Sequence, residues 1–142
     1  SLFANLGDQD MSERDPRAAR EAFETFKELV TRYPNSKYTP DAVARMKYLV
    51  NALAMYEVHV ARYYQKRGAH VATVNRAKYV LEHYPQAPAL EEALYLMAKS
   101  YESMNLPDLS RDALRVLKQN FPNSAFLAGT AVGKEKSWWK FW

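Results

Sequence analysis

The segment TVNRAKYVLEHYPQ, residues 73 to 86, decides the fold of this chain. Its small and apolar side chains recur at offsets of 4, 3 and 4 residues, which places Thr73, Ala77, Val80 and Tyr84 on one face of an α-helix. Pro85 ends this helix, because proline lacks an amide hydrogen and clashes with the preceding turn. The small residues of the stripe allow a second helix to approach closely.

The same ending occurs twice more, before Pro34 and before Pro122. The matching stripes are Ala22, Phe26, Leu29 and Tyr33 in the first copy, and Ser110, Leu114, Leu117 and Phe121 in the last. The last two prolines are 37 residues apart, close to the tetratricopeptide period of about 34. The first two are 51 residues apart, and an elongated helix between them accounts for the excess. An unrelated up-and-down helical bundle remains an alternative.

The pattern therefore predicts an all-α, tetratricopeptide-type array of about five helices, in which one repeat has an elongated first helix. Thr39 and Pro40 predict the start of the long helix, with Thr39 as its N-cap, and Gly68 suits a left-handed C-terminal cap. We expect one helical domain over residues 1 to 126. The predicted helices lie at about 16–32, 40–67, 70–83, 88–104 and 107–120.

Residues 127 to 142 are predicted to form a flexible or docked aromatic tail. They end in SWWKFW, Ser137 to Trp142, which holds all three tryptophans of the chain. Exposing such a segment to water is unfavourable, at about 25 cal/mol per Å² of apolar area. We expect it to dock, and three places remain open: the last helix of the chain itself, a partner protein, or a membrane surface.

Composition excludes several classes of function. The 142 residues contain no cysteine, so disulfides and thiol chemistry are excluded. The net charge of +4 is divided evenly between the two halves, and the nearest approach to a basic stripe, Arg62, Arg67 and Arg76, surrounds a helical turn, so we expect no nucleic-acid binding. No apolar run approaches the roughly 18 to 20 residues of a membrane span. The chain shows no nucleophile motif, phosphate loop, cofactor motif or metal-ligand spacing, so we expect no enzyme, cofactor or metal site.

A candidate protein-binding site lies around the end of the long helix. Its residues are of the types enriched at interface hot spots: Tyr63, Tyr64, Arg67, His70, Asn75 and Arg76. Arg76 lies early in its helix, where a cation gains nothing from the helix dipole. This position predicts a carboxylate partner for Arg76, either within the chain or on another protein.

These residues also carry a resemblance to a known family. Asp15-Pro16, the YPNS of residues 33 to 36, and the YY, RGA and VNR elements between residues 63 and 76 resemble the C-terminal half of the BamD (ComL) family. Members are tetratricopeptide lipoproteins of the outer-membrane β-barrel assembly machinery. The likeness covers residues 1 to 120, whereas the tail after about residue 125 departs from the best-known members.

The resemblance implies partners and a location. The family's C-terminal half binds the last polypeptide-transport-associated (POTRA) domain of the barrel protein BamA, and accessory lipoproteins of the BamC and BamE type bind nearby. The family's arginine that pairs with a POTRA glutamate falls on Arg76 of this sequence. An N-terminal lipid attached upstream of this sequence would hold the protein at the periplasmic face of the outer membrane.

The function expected from the sequence is thus a non-enzymatic scaffold of the barrel-assembly (BAM) complex. A TolA-associated periplasmic repeat protein is an alternative, although the 51-residue spacing argues against it. A generic peptide-binding repeat module is a second alternative, but Lys47 and Asn51 do not form the set that grips a C-terminal carboxylate. We expect Arg76→Glu to abolish POTRA binding without changing the melting temperature.

Overall fold

In a computed structural model, the described part of the chain comprises residues 16 to 128 and residue 130. It forms five α-helices, α1 (Pro16–Arg32), α2 (Thr39–Lys66), α3 (His70–His83), α4 (Leu90–Ser103) and α5 (Pro107–Asn120), followed by a short 3-10 turn, Ala125–Leu127. Consecutive helices pack against each other, and α4 also contacts α2. The expected all-α repeat array is confirmed for these residues. The tail segment Ser137 to Trp142 lies outside them.

Three equivalent junctions follow α1, α3 and α5; the first two lead into α2 and α4, and the third leads into the 3-10 turn. In each, two backbone hydrogen bonds follow the helix: Ser36 to Tyr33 and Thr39 to Ser36, Ala87 to Tyr84 and Leu90 to Ala87, Ser124 to Phe121 and Leu127 to Ser124, all 3.0 to 3.2 Å long. The Tyr-Pro and Phe-Pro endings thus produce one geometry three times, which confirms the repeat read from the sequence.

The start of α2 differs from the expected cap. Thr39 is already the first helical residue, and the N-cap is Tyr38, without a side-chain cap. The Thr39 hydroxyl instead donates a 2.6 Å hydrogen bond to the carbonyl of Tyr33, so it closes the preceding junction. At the other end Gly68 has a φ of 75°, the left-handed conformation expected of it.

In each of the helix pairs α2–α3 and α4–α5, a side-chain hydroxyl of the second helix contacts a backbone carbonyl of the first. Ser110 on α5 donates a 2.9 Å hydrogen bond to the carbonyl of Ala98 on α4. Thr73 on α3 lies 37 residues earlier; its hydroxyl contacts the carbonyl of Ala61 on α2 at 3.5 Å and also donates to Ala69 at 3.0 Å. Ser110 and Ala98, and likewise Thr73 and Ala61, are all buried. The stripe of small residues predicted from the sequence therefore brings the two helices of each pair into close contact.

Two clusters of buried residues make up the core. The larger is built from α2 to α5 and includes Leu127 of the 3-10 turn, a residue that the sequence analysis assigned to the tail. The smaller joins α1 to the middle of α2 through Ala19, Ala22, Leu49 and Leu53. In α1 the predicted stripe is buried only at its start, because α1 packs mainly on α2: Leu29 and Tyr33 are exposed.

Candidate protein-binding site

The site residues predicted from the sequence lie on the end of α2 and the start of α3. The turn at Gly68 reverses the chain between these two helices, so that the last turns of α2 lie beside the first turns of α3. The turn is closed by backbone hydrogen bonds from Arg67, Gly68 and Ala69 to the last carbonyls of α2. This rigid hairpin fixes the positions of the side chains that it carries.

Two tyrosines and an arginine form the outer part of the site. The guanidinium carbon of Arg67 lies 3.8 Å from the centroid of the Tyr63 ring, a cation–π contact. The ring of Tyr63 meets that of Tyr64 edge-to-face, with centroids 5.7 Å apart. About half of Tyr63 is exposed, whereas Tyr64 is partly buried. The contact holds a large aromatic surface in place at low conformational cost.

Arg76 has an internal carboxylate partner. Its Nη1 donates a 2.9 Å hydrogen bond to Oε2 of Glu57 on α2. The acid is almost entirely buried, with a side-chain exposure of 4%, whereas 41% of the arginine side chain is exposed. The hydrogen bond to Glu57 raises the pKa of Arg76 above its ordinary value, and the nearby phenols of Tyr64 and Tyr56 act in the same direction.

The sequence left open whether the carboxylate partner of Arg76 lies within the chain or on another protein, and the structure shows a partner within the chain. The hydrogen bond to the Glu57 carboxylate involves only one terminal nitrogen of the Arg76 guanidinium. A guanidinium has five N–H donors, so the exposed part of Arg76 retains donors that face solvent. Arg76 is therefore positioned by Glu57 and remains able to bind a second acidic group.

The expectation that Arg76→Glu would leave stability unchanged is incompatible with this arrangement. The substitution would place a second carboxylate against the buried Glu57 and remove the cation that compensates it. An uncompensated buried charge is strongly unfavourable. The melting temperature should fall, so this variant cannot separate binding from folding.

The two remaining predicted residues occupy different environments. Asn75 is exposed on α3, adjacent in sequence to Arg76. His70, the first residue of α3, is partly buried, and its Nδ1 is enclosed without a hydrogen-bond partner among the described residues. Contacts therefore connect Tyr63, Tyr64 and Arg67, and the field of Tyr64 reaches Arg76. Among the described residues, neither Asn75 nor His70 forms a hydrogen bond, ion pair or ring contact with that group.

Glu57 is the residue of this site that sequence reasoning missed. It follows Leu53 by four residues and precedes Ala61 by four, so it lies on the buried face of α2. A carboxylate at such a position indicates a buried ion pair, because charged side chains are rarely buried without a partner. That signal, together with the antiparallel hairpin, could have selected Arg76.

A second ion pair holds the neighbouring helices in register. Two of the three guanidinium nitrogens of Arg62 donate to the carboxylate of Glu92 on α4: Nε to Oε2, and Nη2 to Oε1 at 2.9 Å. Arg62, the third arginine near the site, is thereby engaged between α2 and α4. Glu92 lies in the first turn of α4 and, through this pair, joins two repeats.

The described residues offer neither a metal-binding cluster nor a membrane-spanning helix. Within residues 16 to 128 and 130, no three His, Asp or Glu side chains lie together in a way that could hold a metal ion. Nor does any helix there combine the length and apolar character needed to cross a bilayer. The geometry that the described chain does offer is an aromatic and cationic surface on a rigid hairpin, of the kind used for protein recognition.

Sequence comparisons identify the family of this helical-repeat protein. The chain belongs to the YfiO family of outer membrane lipoproteins, whose profile matches residues 1 to 117. It is 46% identical over 142 residues to the "Outer membrane protein assembly factor BamD" of Neisseria gonorrhoeae, covering all of this chain and 53% of that relative.

More distant relatives carry the same name. BamD of Pasteurella multocida is 42% identical over 111 residues, which cover 78% of this chain and 43% of that protein. BamD of Vibrio cholerae is 35% identical over 120 residues, covering 84% and 50%. The chain thus spans about half the length of the curated relatives that it matches. The family resemblance read from the sequence is confirmed.

Proposed function

We propose that this chain is a non-enzymatic docking scaffold of the outer-membrane β-barrel assembly machinery, at the periplasmic face of the outer membrane. The relatives that match its sequence are named as assembly factors, and the family is one of outer membrane lipoproteins, which supports a lipid anchor for the whole protein. The family assignment favours this function over a TolA-associated role. Accessory lipoproteins of the BamC or BamE type are further proposed partners.

The proposed contact is with an acidic group on the last POTRA domain of BamA. The single observation that supports it is the state of Arg76, which is fixed by a buried acid and still exposes 41% of its side chain. An arginine held in this way loses little conformational entropy on binding, and entropy lost by side chains is a major cost of association. Tyr63 and Arg67 provide the adjacent aromatic and cationic surface.

The test compares three variants in a titration of this chain with a purified last POTRA domain of BamA. Arg76→Gln should abolish binding but also destabilise the fold through the unpaired Glu57. The double variant Arg76→Gln with Glu57→Gln removes the buried charge as well, so it should regain stability and still fail to bind. Glu57→Gln retains the arginine, so it should bind.

Arg115→Gln provides a matched control. Arg115 on α5 also forms an ion pair, with Asp112 at 3.1 Å, but that pair is exposed and lies outside the proposed contact. This variant should bind like the original protein. If the double variant binds as well as Arg115→Gln does, Arg76 is not the contact and the proposed interface is wrong.

A further inference from the structure

A groove of about 1130 Å³ lies between α4 and α5, the last helix pair. Its lining includes Tyr95, Ala98 and Lys99 from α4, and Arg111 and Leu114 from α5. The wall is completed by the chain that follows the 3-10 turn, at Ala128 and Thr130. The groove thus combines an apolar floor with charged edges, and it is open to solvent in the described structure.

The repeat shows what such a groove accommodates. A shift of 37 residues places Ala98 on Ala61 and Lys99 on Arg62, in the preceding helix pair. There, α4 packs against both α2 and α3, and Arg62 of α2 binds Glu92 of α4. The groove between α2 and α3 is therefore filled by α4. The groove between α4 and α5 is the same site one repeat later, and no described helix fills it.

The chain enters this groove in the manner of the preceding repeat. Leu127 is buried like Leu90, its equivalent at the start of α4, and is held by the same junction hydrogen bonds. Ala128 then turns to an extended conformation instead of continuing a helix. The amide and hydroxyl of Thr130 both donate to the carbonyl of Leu127, at 3.1 and 2.6 Å, which directs the chain along the groove wall.

We propose that residues 131 to 142 of this chain dock in the groove between α4 and α5, in the place that the next helix of the array would take. The tryptophans Trp138, Trp139 and Trp142 would cover its apolar floor around Tyr95 and Leu114. Twelve residues span about 18 Å as a helix and about 40 Å when extended, and α5 is about 21 Å long, so the segment reaches the whole groove in either form.

Covalent attachment favours this occupant over others. The segment follows Thr130, which lines the groove, so its effective concentration there is in the millimolar range that short flexible linkers provide. A free partner or a second copy of the chain must reach that concentration in solution. The segment also carries every tryptophan of the sequence, and large aromatic side chains gain much from burial in an apolar groove.

The absence of cysteine permits a direct test. Lys99→Cys, at the groove, is labelled with a bimane fluorophore, which tryptophan quenches on contact. Lys47→Cys, on the exposed face of α2, is labelled as the matched control. Each is compared with a version in which Trp138, Trp139 and Trp142 are replaced by phenylalanine. We expect emission at position 99 to rise when the tryptophans are removed and emission at position 47 to remain unchanged.

Two results would overturn the proposal. Equal emission from position 99 with and without the tryptophans would show that the segment does not occupy the groove. Quenching that disappears on dilution, or that appears when unlabelled protein is mixed with the labelled tryptophan-free version, would assign the groove to a second copy. Lys47 is exposed and Lys99 partly exposed, so we expect the helices to remain intact, and circular dichroism of each labelled variant checks this.

Discussion

The carboxylate of Glu57 on α2 accepts a 2.9 Å hydrogen bond from the guanidinium of Arg76 on α3, and the acid is the buried member of the pair. The arginine is therefore the residue that faces outward, while the acid determines where it points. This asymmetry makes the effects of the two substitutions unequal.

Arg76→Gln should reduce the free energy of unfolding more than Glu57→Gln does. The first leaves a buried carboxylate without its cation, and we expect a loss of about 1 to 3 kcal/mol, since the exposure of Arg76 weakens the pair below a fully buried one. The second leaves an amide that still accepts the hydrogen bond. Urea unfolding measures both, and a larger loss for Glu57→Gln would contradict the assignment of the acid as the buried, compensated charge.

Ser110→Ala should reduce the free energy of unfolding by about 1 kcal/mol, because it removes one buried hydrogen bond between α4 and α5. Thr73→Ser retains the equivalent hydroxyl and removes only a methyl group, so it tests packing separately at the preceding helix pair. Thermal or urea unfolding of the two variants gives the comparison. An unchanged stability for Ser110→Ala would show that the 2.9 Å bond to Ala98 contributes nothing net.

Arg62 and Glu92 should show a favourable coupling energy in a double-mutant cycle. Two guanidinium nitrogens, Nε and Nη2, each donate to a different carboxylate oxygen, and this two-point geometry strengthens the pair, although partial exposure limits the coupling to about 1 kcal/mol. The cycle uses Arg62→Gln, Glu92→Gln and their combination. Asp108 and Arg111 form an ion pair on the exposed face of α5. They provide a matched cycle, for which we expect a coupling energy near zero.

Stability should decrease as pH rises above 10, and Tyr84 should contribute to the decrease. Burial raises the pKa of Tyr84 above its ordinary value of 10.0, and the adjacent Tyr79 acts in the same direction. The folded state therefore prefers the neutral phenol. The resulting stabilisation is complete below the unfolded pKa and is lost as pH rises through the folded pKa.

Tyr84→Phe has no phenol to ionise, so its free energy of unfolding should fall less steeply over this alkaline range. Urea unfolding at neutral pH and at several pH values above 10 gives the slopes. Identical slopes for the original protein and Tyr84→Phe would contradict the role of this tyrosine.

Much of the fold could be predicted from the sequence because the repeats share the same helix ending, an aromatic residue followed by proline. The prolines at 34, 85 and 122 and the stripes before them predicted helix ends that the structure places within one or two residues. The cap at Thr39 was wrong because local pattern cannot show that its hydroxyl is used by the carbonyl of Tyr33, six residues earlier. Burial at Leu29 and Tyr33 was overestimated, since a stripe shows which face is apolar but not whether a neighbour covers it.

The candidate site was predictable in composition but not in pairing. Arginine and tyrosine at the end of a long helix identified the surface, and the early helical position of Arg76 correctly required a carboxylate. Which carboxylate depends on the pairing of α2 with α3, which brings residues 57 and 76 together across a hairpin. The local sequence pattern of either helix does not show that residues 57 and 76 lie close together, because this depends on how the two helices pack.

The helix α2 takes part in both clusters of buried residues, with Leu49 and Leu53 in the smaller and Ala54, Val58 and Ala61 in the larger. Its 28 residues form a continuous rod of about 42 Å. Because one continuous helix belongs to both clusters, the hairpin that carries Arg67 and Arg76 has a fixed position relative to α1. The surface on that hairpin is therefore held by packing at a distance from it as well as by its own turn.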